Sequence, residues 1–409
     1  MSAPRTNCAI QRLTDNARSV LREIEREQFR ARFDALVELA NRDPIAPYRM
    51  KRWYPRFVVW ELTLACNLRC RHCGSNAGKP RPDELSTEEM LHVCDELAEL
   101  GCERVTLLGG EPLIHPAWER VARRIRENGF RANVITNGWT LHREEVCDRI
   151  AAAELSIVGV SLDGLADTHD DLRRRPGSFA RILRGIDLLR ERRVPVAVSS
   201  TVTRQNLPQL DQLHRLLTDH EVSVWQLQIC NPLGRLAQDD PIILRPEQVL
   251  DVLDFVARKR AEQAGGPRID IADNVGYYSH HEHEGIRQKR PGEAYHWTGC
   301  HAGIQSMGLD ANGDVKGCQS LPSTPEFLEG NVRQRSLAEI WNDPNSFSYT
   351  RRFTRENLSG YCAICPYGAL CKGGCTSSAL AHSGKVGDNP MCAYRVLHEQ
   401  DTLQSAEQA

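Results

Sequence analysis

Between residues 57 and 236 the chain alternates short apolar runs with longer segments that are apolar at helical spacing. "RFVVWELTL", "RVTLLG", "RANVITN", "LSIVGVSLD", "VPVAVSSTVT" and "VSVWQLQI" read as six strands. "STEEMLHVCDELAEL", "AWERVARRIREN", "REEVCDRIAAA", "SFARILRGIDLLRER" and "LPQLDQLHRLLTDH" read as the helices after the first five. Ser86 with Glu89 three places on is a capping box, which predicts a helix over 87–100. Strands this apolar suit a parallel sheet buried on both faces, and right-handed crossovers then give an α/β barrel or a doubly wound sheet. In either fold, chemistry gathers at the C-terminal ends of the strands. "CNLRCRHC", "GGEP", "TNG" and "SLDG" each directly follow a strand.

The flanks differ. Residues 15–41 predict one charged helix: Leu21, Ile24, Phe29, Phe33, Leu36 and Leu39 recur at near-helical spacing, and Asp15 or Asn16 can cap it. The proline-punctuated "DPIAPYRMKRWYP" reads as a linker. After 236 come a helix, "RPEQVLDVLDFVARKRAEQ", and one further candidate strand, "PRIDIADN". From 300 the pattern is short-looped, with one brief helix near 336–342. Such a segment buries little apolar surface, so something else is expected to hold it, and in the cytosol that is usually a metal. The expected divisions are 1–56 (helical extension and linker), 57–236 (barrel), 237–294 (bridging helix and loops), 295–400 (cysteine-rich domain) and 401–409 (tail).

Composition narrows the function. The 409 residues are 41% hydrophobic, enough for a sizeable core. Basic and acidic residues balance at 52 and 54, so no basic excess advertises nucleic acid or an anionic membrane surface. The most basic run, "RERR" at 190–193, reads as the solvated end of a helix. The N-terminus lacks the apolar core of a signal peptide, and no stretch approaches the ~18 apolar residues of a membrane span. The expected location is the cytoplasm, where fifteen cysteines argue for metal or redox chemistry rather than disulfides.

Those cysteines are unevenly spread. Cys66, Cys70 and Cys73 share one loop; Cys300, Cys318, Cys362, Cys365, Cys371, Cys375 and Cys392 crowd the last quarter. Cys8, Cys94, Cys102, Cys147 and Cys230 are scattered and read as buried or surface thiols. Three thiolates in one loop can ligate three irons of a cubane cluster and leave the fourth open. Zinc with a distant fourth ligand satisfies the same spacing. The "SHHEHEG" run at 279–285 lies in a polar loop without i, i+4 logic and reads as a solvated or substrate-contacting loop.

Taken with the strand register, Cys66-x3-Cys70-x2-Cys73, Gly109-Gly110-Glu111-Pro112, Thr136-Asn137-Gly138 and Ser161-Leu162-Asp163-Gly164 resemble the radical S-adenosylmethionine (SAM) superfamily. The resemblance implies a partial (β/α)6 TIM-like barrel. In it Cys66, Cys70 and Cys73 hold a [4Fe–4S] cluster whose open iron is chelated by SAM. It further implies that Gly109 and Gly110 let backbone approach the methionyl part, that Glu111 accepts from the SAM amino group, and that Asn137 belongs to the SAM site. Ser161, Asp163 and Ser200 become candidates for the ribose hydroxyls, and Arg173, in the run Arg173–Arg175, for the SAM carboxylate.

The tail resembles the SPASM extension of peptide-modifying radical SAM enzymes. Cys300-x12-Gly313-x4-Cys318, then Cys362-x2-Cys365-x5-Cys371-x3-Cys375 and Cys392, follow its seven-cysteine pattern. By that resemblance Cys362, Cys365, Cys371 and Cys392 ligate an outer auxiliary [4Fe–4S] cluster, and Cys300, Cys318 and Cys375 an inner one, three clusters in all. Some members supply a fourth inner ligand where this chain has Ala294. An open iron, His296, His301, a substrate thiolate or Cys230 can complete the set. The function implied is oxidative modification of a ribosomally made precursor peptide (cross-link, thioether or C–C bond), with a flavodoxin or ferredoxin as reductant. Residues 1–56 do not resemble a winged-helix leader-binding domain, so a separate leader-binding partner is an option. Epimerisation, sulfatase-type protein maturation, small-molecule dehydrogenation and a non-catalytic electron carrier are the alternatives.

Overall fold

The structure is a computed structural model that describes residues 23, 27–236, 240–262, 265–282, 286, 287 and 295–407. Cys8, Ala294 and most of the first half of the expected N-terminal helix lie outside the described residues. Its frame is a single sheet of strands β1 (Phe57–Thr63), β2 (Arg104–Gly109), β3 (Arg131–Thr136), β4 (Ile157–Ser161), β5 (Val196–Val202), β6 (Val224–Ile229), β7 (Arg268–Ile271), β8 (Ser306–Leu309), β9 (Asp314–Lys316) and β10 (Gly330–Asn331). The order is β10-β9-β8-β1-β2-β3-β4-β5-β6-β7. The seven strands β1–β7 are parallel neighbours in chain order, and β8 joins β1 in parallel.

The six expected strands are present, and "PRIDIADN" supplies the seventh as β7. The helix after Ser86 spans Thr87–Glu99, with both capping-box hydrogen bonds formed. Between β4 and the helix Ser178–Glu191 stands an additional helix, Ala166–Arg173, that the apolar pattern did not show. Its burial is confined to His169, Leu172 and Arg173, too short a stripe to register as periodicity.

Parity along the strands separates the sheet's two faces. Val58, Trp60 and Leu62 of β1, Val158 and Val160 of β4, and Val196, Val198 and Val202 of β5 all enter the main core under the helices. Glu61, Thr63, Ser161, Ser199 and Thr201 alternate with them and stand on the opposite face.

The cysteine-rich tail departs from expectation. Met307, Leu309, Val315, Leu337, Ile340, Trp341 and Phe347 belong to the same core cluster as the barrel. The tail adds β8 to the open edge at β1, and the helix Leu337–Asn342 packs on Thr87–Glu99, with Glu96 accepting from the Leu337 amide at 3.2 Å. This part of the tail is therefore held by apolar burial as well as by whatever its cysteines bind. A buried polar network reinforces the junction. Glu61 accepts from Arg81 Nε at 2.6 Å; Asp310 accepts from Lys316 Nζ at 2.9 Å, from Gln319 at 2.7 Å and from Ser323 at 2.6 Å.

Residues 27–42 are helical. This helix lies on the tail, where Phe33 and Ala40 pack with Tyr277, Tyr278, Trp297, Leu370, Cys371 and Cys392.

Lys316 and Asp310 are both almost fully buried. Replacing Lys316 by Met leaves the Asp310 carboxylate without its ammonium. The expected cost is about 3 kcal/mol or more, read as earlier urea unfolding and faster proteolysis of residues 300–350. Unchanged unfolding would show that the network does not hold the junction.

Candidate functional site

The loop after β1 carries Cys66, Cys70 and Cys73, and its shape is set by the neighbouring strand. Thr63 O and Ala65 O accept from the Gly110 and Glu111 amides at 2.8 and 2.9 Å. A Cβ on Gly110 would meet Ala65 O at 2.1 Å, and one on Gly109 would meet Thr63 O at 2.2 Å. Gly109 also has φ +133°, which disfavours any side chain. The space these glycines leave is thus occupied by the cysteine loop itself.

Each sulfur of the loop accepts a hydrogen bond. Cys66 Sγ receives the Leu68 amide at 3.4 Å and Asn137 Nδ2 at 3.8 Å; Cys73 Sγ receives the Ala77 amide at 3.4 Å; Cys70 Sγ receives Arg173 Nη1 at 3.8 Å. Burial pushes the Cys66 thiol up to about 11 and raises Cys70, which the Arg173 guanidinium partly offsets. A metal deprotonates such thiols outright, and the donors then stabilise the thiolates.

Asp163 anchors this arrangement rather than standing open. Its Oδ2 accepts from Arg173 Nε at 2.7 Å and lies 3.0 Å from His72 Nε2, while Oδ1 accepts from the Thr201 amide at 2.8 Å. Burial works against its charge, but Arg173 and His72 outweigh burial and hold the carboxyl far below the usual range. Arg173 therefore spans Asp163 and Cys70. Arg235 ties the loop from the other side through Cys70 O and Ala77 O.

Glu111 is fully buried, accepting from Thr136 Oγ1 at 2.7 Å and from the Asn137 and Leu113 amides at 2.8 and 3.2 Å. Burial pushes its carboxyl up to about 7. Asn137 also donates to Asn67 Oδ1 at 2.7 Å, next to Cys66. Ser161 closes β4 on the face opposite the main core. Ser200 is not brought into this group. It shares the helix-covered face with Val198 and Val202, where its hydroxyl donates to Leu162 O and accepts from Trp225 Nε1 at 2.8 Å. Ser199 and Thr201 occupy the other face.

In the tail, Cys362, Cys365, Cys371 and Cys392 line one cavity with Tyr277, Tyr278 and Tyr361. Burial pushes the Cys365 and Cys392 thiols up to about 11 and 12, and the neighbouring cysteines add to it. Cys300, Cys318 and Cys375 form a second group: burial, then their mutual proximity, raises Cys375 strongly. The Cys375 amide donates to Tyr277 Oη at 2.7 Å, and that hydroxyl donates to Asp273 O, just past β7. Ser378 and His382, on the helix that follows Cys375, meet Asn231 Oδ1 at 3.2 Å, just past β6. The second group therefore stands against the C-terminal ends of β6 and β7.

Among the described residues, no trio of cysteines brings its sulfurs within 4.8 Å of one another. One tetrahedral zinc needs thiolates about 3.8 Å apart, given its Zn–S bonds of about 2.3 Å. In every such trio at least one pair of sulfurs is wider than that, so none stands in the geometry of a single tetrahedral zinc.

His301 Nε2 lies 3.0 Å from Lys51 Nζ, and the His296 ring packs tilted against Phe29, with centroids 3.8 Å apart. Cys230 sits in an apolar pocket with Leu172, Leu236, Ile242 and Ile243, where burial pushes its thiol up to about 12. Cys94, Cys102 and Cys147 are buried, with thiols pushed up to about 12, 12 and 11 by burial.

Sequence reasoning missed His72, Arg235, Asn206, Tyr277, Asp273, Lys51 and Lys372. Asn206 Nδ2 fixes Asp163 O at 2.6 Å. Burial raises Cys300, Cys318 and Cys375, and the exposed Asp273 adds a little through space. Lys51 and Lys372 meet at Thr298, donating to its Oγ1 and O at 2.9 and 3.1 Å. Burial pushes them down to about 8 and 7. Only Asp273, a carboxylate just past a strand's C-terminal end, carried a readable signal.

A parallel α/β sheet with three hydrogen-bonded sulfurs on its first loop, and further cysteine groups in a domain added at the edge, defines an iron–sulfur enzyme. The chain belongs to the radical SAM superfamily, which residues 60–217 match, and carries a SPASM iron–sulfur cluster-binding domain, matched over 300–366. The AdoMet-dependent heme synthase of Methanosarcina barkeri is 32% identical, covering 83% of this chain and 97% of that one. Mycofactocin maturase MftC of Mycolicibacterium smegmatis is 30% identical, covering 83% and 82%. Streptococcus suis SuiB bound to precursor peptide SuiA has a TM-score of 0.66 at 15% identity, covering 86% of this chain and 78% of that one. AnSMEcpe with bound AdoMet has a TM-score of 0.65 at 17% identity, covering 85% and 97%. A [4Fe–4S] cluster and SAM follow from the superfamily, and further iron–sulfur from the SPASM domain. Among the described residues, no helix is long and apolar enough to cross a membrane.

If the cavity cysteines hold a cluster, Cys371→Ala lowers the iron of the anaerobically reconstituted protein by about one cubane. Cys147→Ala, in the main core, leaves iron unchanged. Equal iron in both variants would remove the cavity from the metal inventory.

Proposed function

We propose that the chain is a three-cluster radical SAM enzyme that oxidises a ribosomally made precursor peptide. The observation that carries this reading is the placement of the two sulfur sets. Cys66, Cys70 and Cys73 follow β1, and the group of Cys300, Cys318 and Cys375 is tethered past the ends of β6 and β7. Both therefore border the C-terminal end of the barrel, where a substrate enters. MftC, named a maturase, supports a peptide substrate at 30% identity.

In this reading Cys66, Cys70 and Cys73 hold the first cluster, with Asn137, Arg173 and the Leu68 and Ala77 amides stabilising the thiolates. Glu111, Asn137 and Ser161 contribute to the SAM site. Asp163 acts through Arg173 and His72 as a positioning residue. When bound, the cluster and SAM supply the 5′-deoxyadenosyl radical that removes a substrate hydrogen atom. Cys362, Cys365, Cys371 and Cys392 would hold an outer auxiliary cluster, and Cys300, Cys318 and Cys375 an inner one able to take the second electron of the oxidation. Lys51 and Lys372 would offset the charge of the two. A flavodoxin or ferredoxin would supply the reducing electron.

A second reading has its own support. A relative 32% identical across nearly its whole length is named a heme synthase, so a haem precursor is the competing substrate.

The test is anaerobic co-expression with each small peptide encoded beside the gene, read by mass spectrometry, with Cys70→Ala as control. Loss of two hydrogens only with the intact enzyme is the expected result, and fragmentation locates the bond. Unchanged peptide, with deoxyadenosine formed on addition of an iron porphyrin still carrying propionate side chains, would replace the peptide reading by the haem-precursor one.

Asp163 is expected to be essential to the first site. Arg173→Met strands it as a buried, under-paired charge, at a cost of about 3–5 kcal/mol. The readout is weaker retention of the first cluster's iron with tail iron unaffected, measured in a background lacking the seven tail cysteines and compared with the intact tail. Full retention would remove Arg173 from this role.

A further inference from the structure

The histidine run at 279–285 reads from sequence as a solvated loop, but the fold gives two of its histidines a partner from another element. Asp254 lies on the helix Gln248–Ala261, more than twenty residues upstream. Its Oδ1 is 2.7 Å from His281 Nε2 and 3.2 Å from His280 Nε2. Among the described residues, these three form the only group of three or more metal-capable side chains whose ligand atoms all lie within 4.8 Å of one another.

The turn that presents the histidines is built. Tyr278 is left-handed at φ 51° and buried, and its hydroxyl donates to Trp297 O at 2.7 Å. Ser279 is buried; its Oγ accepts from the His281 amide at 3.3 Å and its carbonyl from the Glu282 amide at 3.0 Å. Glu282 and Arg287 are buried 3.8 Å apart beyond it. Anchored on both sides, the turn aims two consecutive imidazoles at one carboxylate, with ring centroids 4.0 Å apart. Consecutive residues of an extended strand would point to opposite faces.

The donor set has a definite chemistry. Two imidazoles and one carboxylate suit a borderline divalent ion, zinc above all. For bonds of about 2.0–2.1 Å, a tetrahedral site sets its ligand atoms about 3.3 Å apart. Against that spacing the 2.7 Å separation would widen by about 0.6 Å and the 3.2 Å one by about 0.1 Å, and the two imidazole nitrogens already lie within 4.8 Å of each other. His281 and Asp254 also line an open cleft with Asp251 and Phe255, which leaves the ion's remaining position accessible. Arg258, which lines the same cleft one turn along the helix, is paired with Asp211 at 2.7 Å.

We propose that Asp254 Oδ1, His280 Nε2 and His281 Nε2 form a zinc site, separate from the cysteine groups, with one position open to the cleft. It does not depend on which substrate the barrel takes.

The test uses tag-free, cluster-reconstituted full-length protein dialysed against Zn2+. Zinc and iron are measured together, and the zinc environment is read at the zinc absorption edge. The expected result is about one zinc per chain with nitrogen and oxygen ligands at about 2.0 Å. His280→Ala/His281→Ala loses that zinc with iron unchanged. Asp254→Asn, at an exposed helix position, weakens zinc by at least about tenfold and decides the matter if the double variant fails to hold iron. Equal zinc in wild type and Asp254→Asn, a sulfur shell at about 2.3 Å, or no retained zinc would each overturn the site.

Discussion

The structure depends on burying sulfur beside groups that can donate to it. Burial pushes the thiols of the first loop and of the tail upward, so each group needs compensation from its surroundings. The first loop takes it from backbone amides, from Asn137 and from the Arg173 guanidinium, which Asp163 and His72 hold in place. The tail has two buried lysines, Lys51 and Lys372, that share Thr298. Their lowered proton affinity is the cost of burial, which the nearby Asp273 carboxylate offsets in part for Lys51 and the Cys371 sulfur for Lys372.

A second constraint links the tail to the barrel. A cysteine-rich domain with little core of its own gains rigidity by borrowing one. β8 extends the barrel sheet at β1, and the helix Leu337–Asn342 packs on a barrel helix. The helix over residues 27–42 covers the tail from the other side. The tail is thereby joined to the sheet and the main core through β8 and the helix Leu337–Asn342, while Cys371 and Cys392 pack in a separate apolar cluster.

How much of the site was legible depends on the range of each interaction. The glycines after β2 were legible as a close approach, but their partner is the cysteine loop itself. Asp163 was legible as a polar residue at a strand end, but its charge is spent on Arg173 and His72. Ser200 lies one residue from two positions on the other face, and single-residue parity was not resolved from sequence. The histidine run was legible only as polar, because Asp254 comes from a separate helix.

Local patterns determined the class of protein: the strand–helix alternation, the cysteine spacing and the motifs after successive strands all lie within short windows. A capping box or a three-cysteine loop is encoded by neighbours in sequence, so it survives without knowledge of the fold. Contacts between distant segments were decided by tertiary structure alone. These include the pairing of β8 with β1, the Arg173–Asp163–His72 anchor, the meeting of Lys51 with Lys372, and the Asp254–His280–His281 group. The β8–β1 pairing depends on register, where a shift of one position reverses the face, and the others join loops, turns and helices whose meeting no short window of sequence encodes.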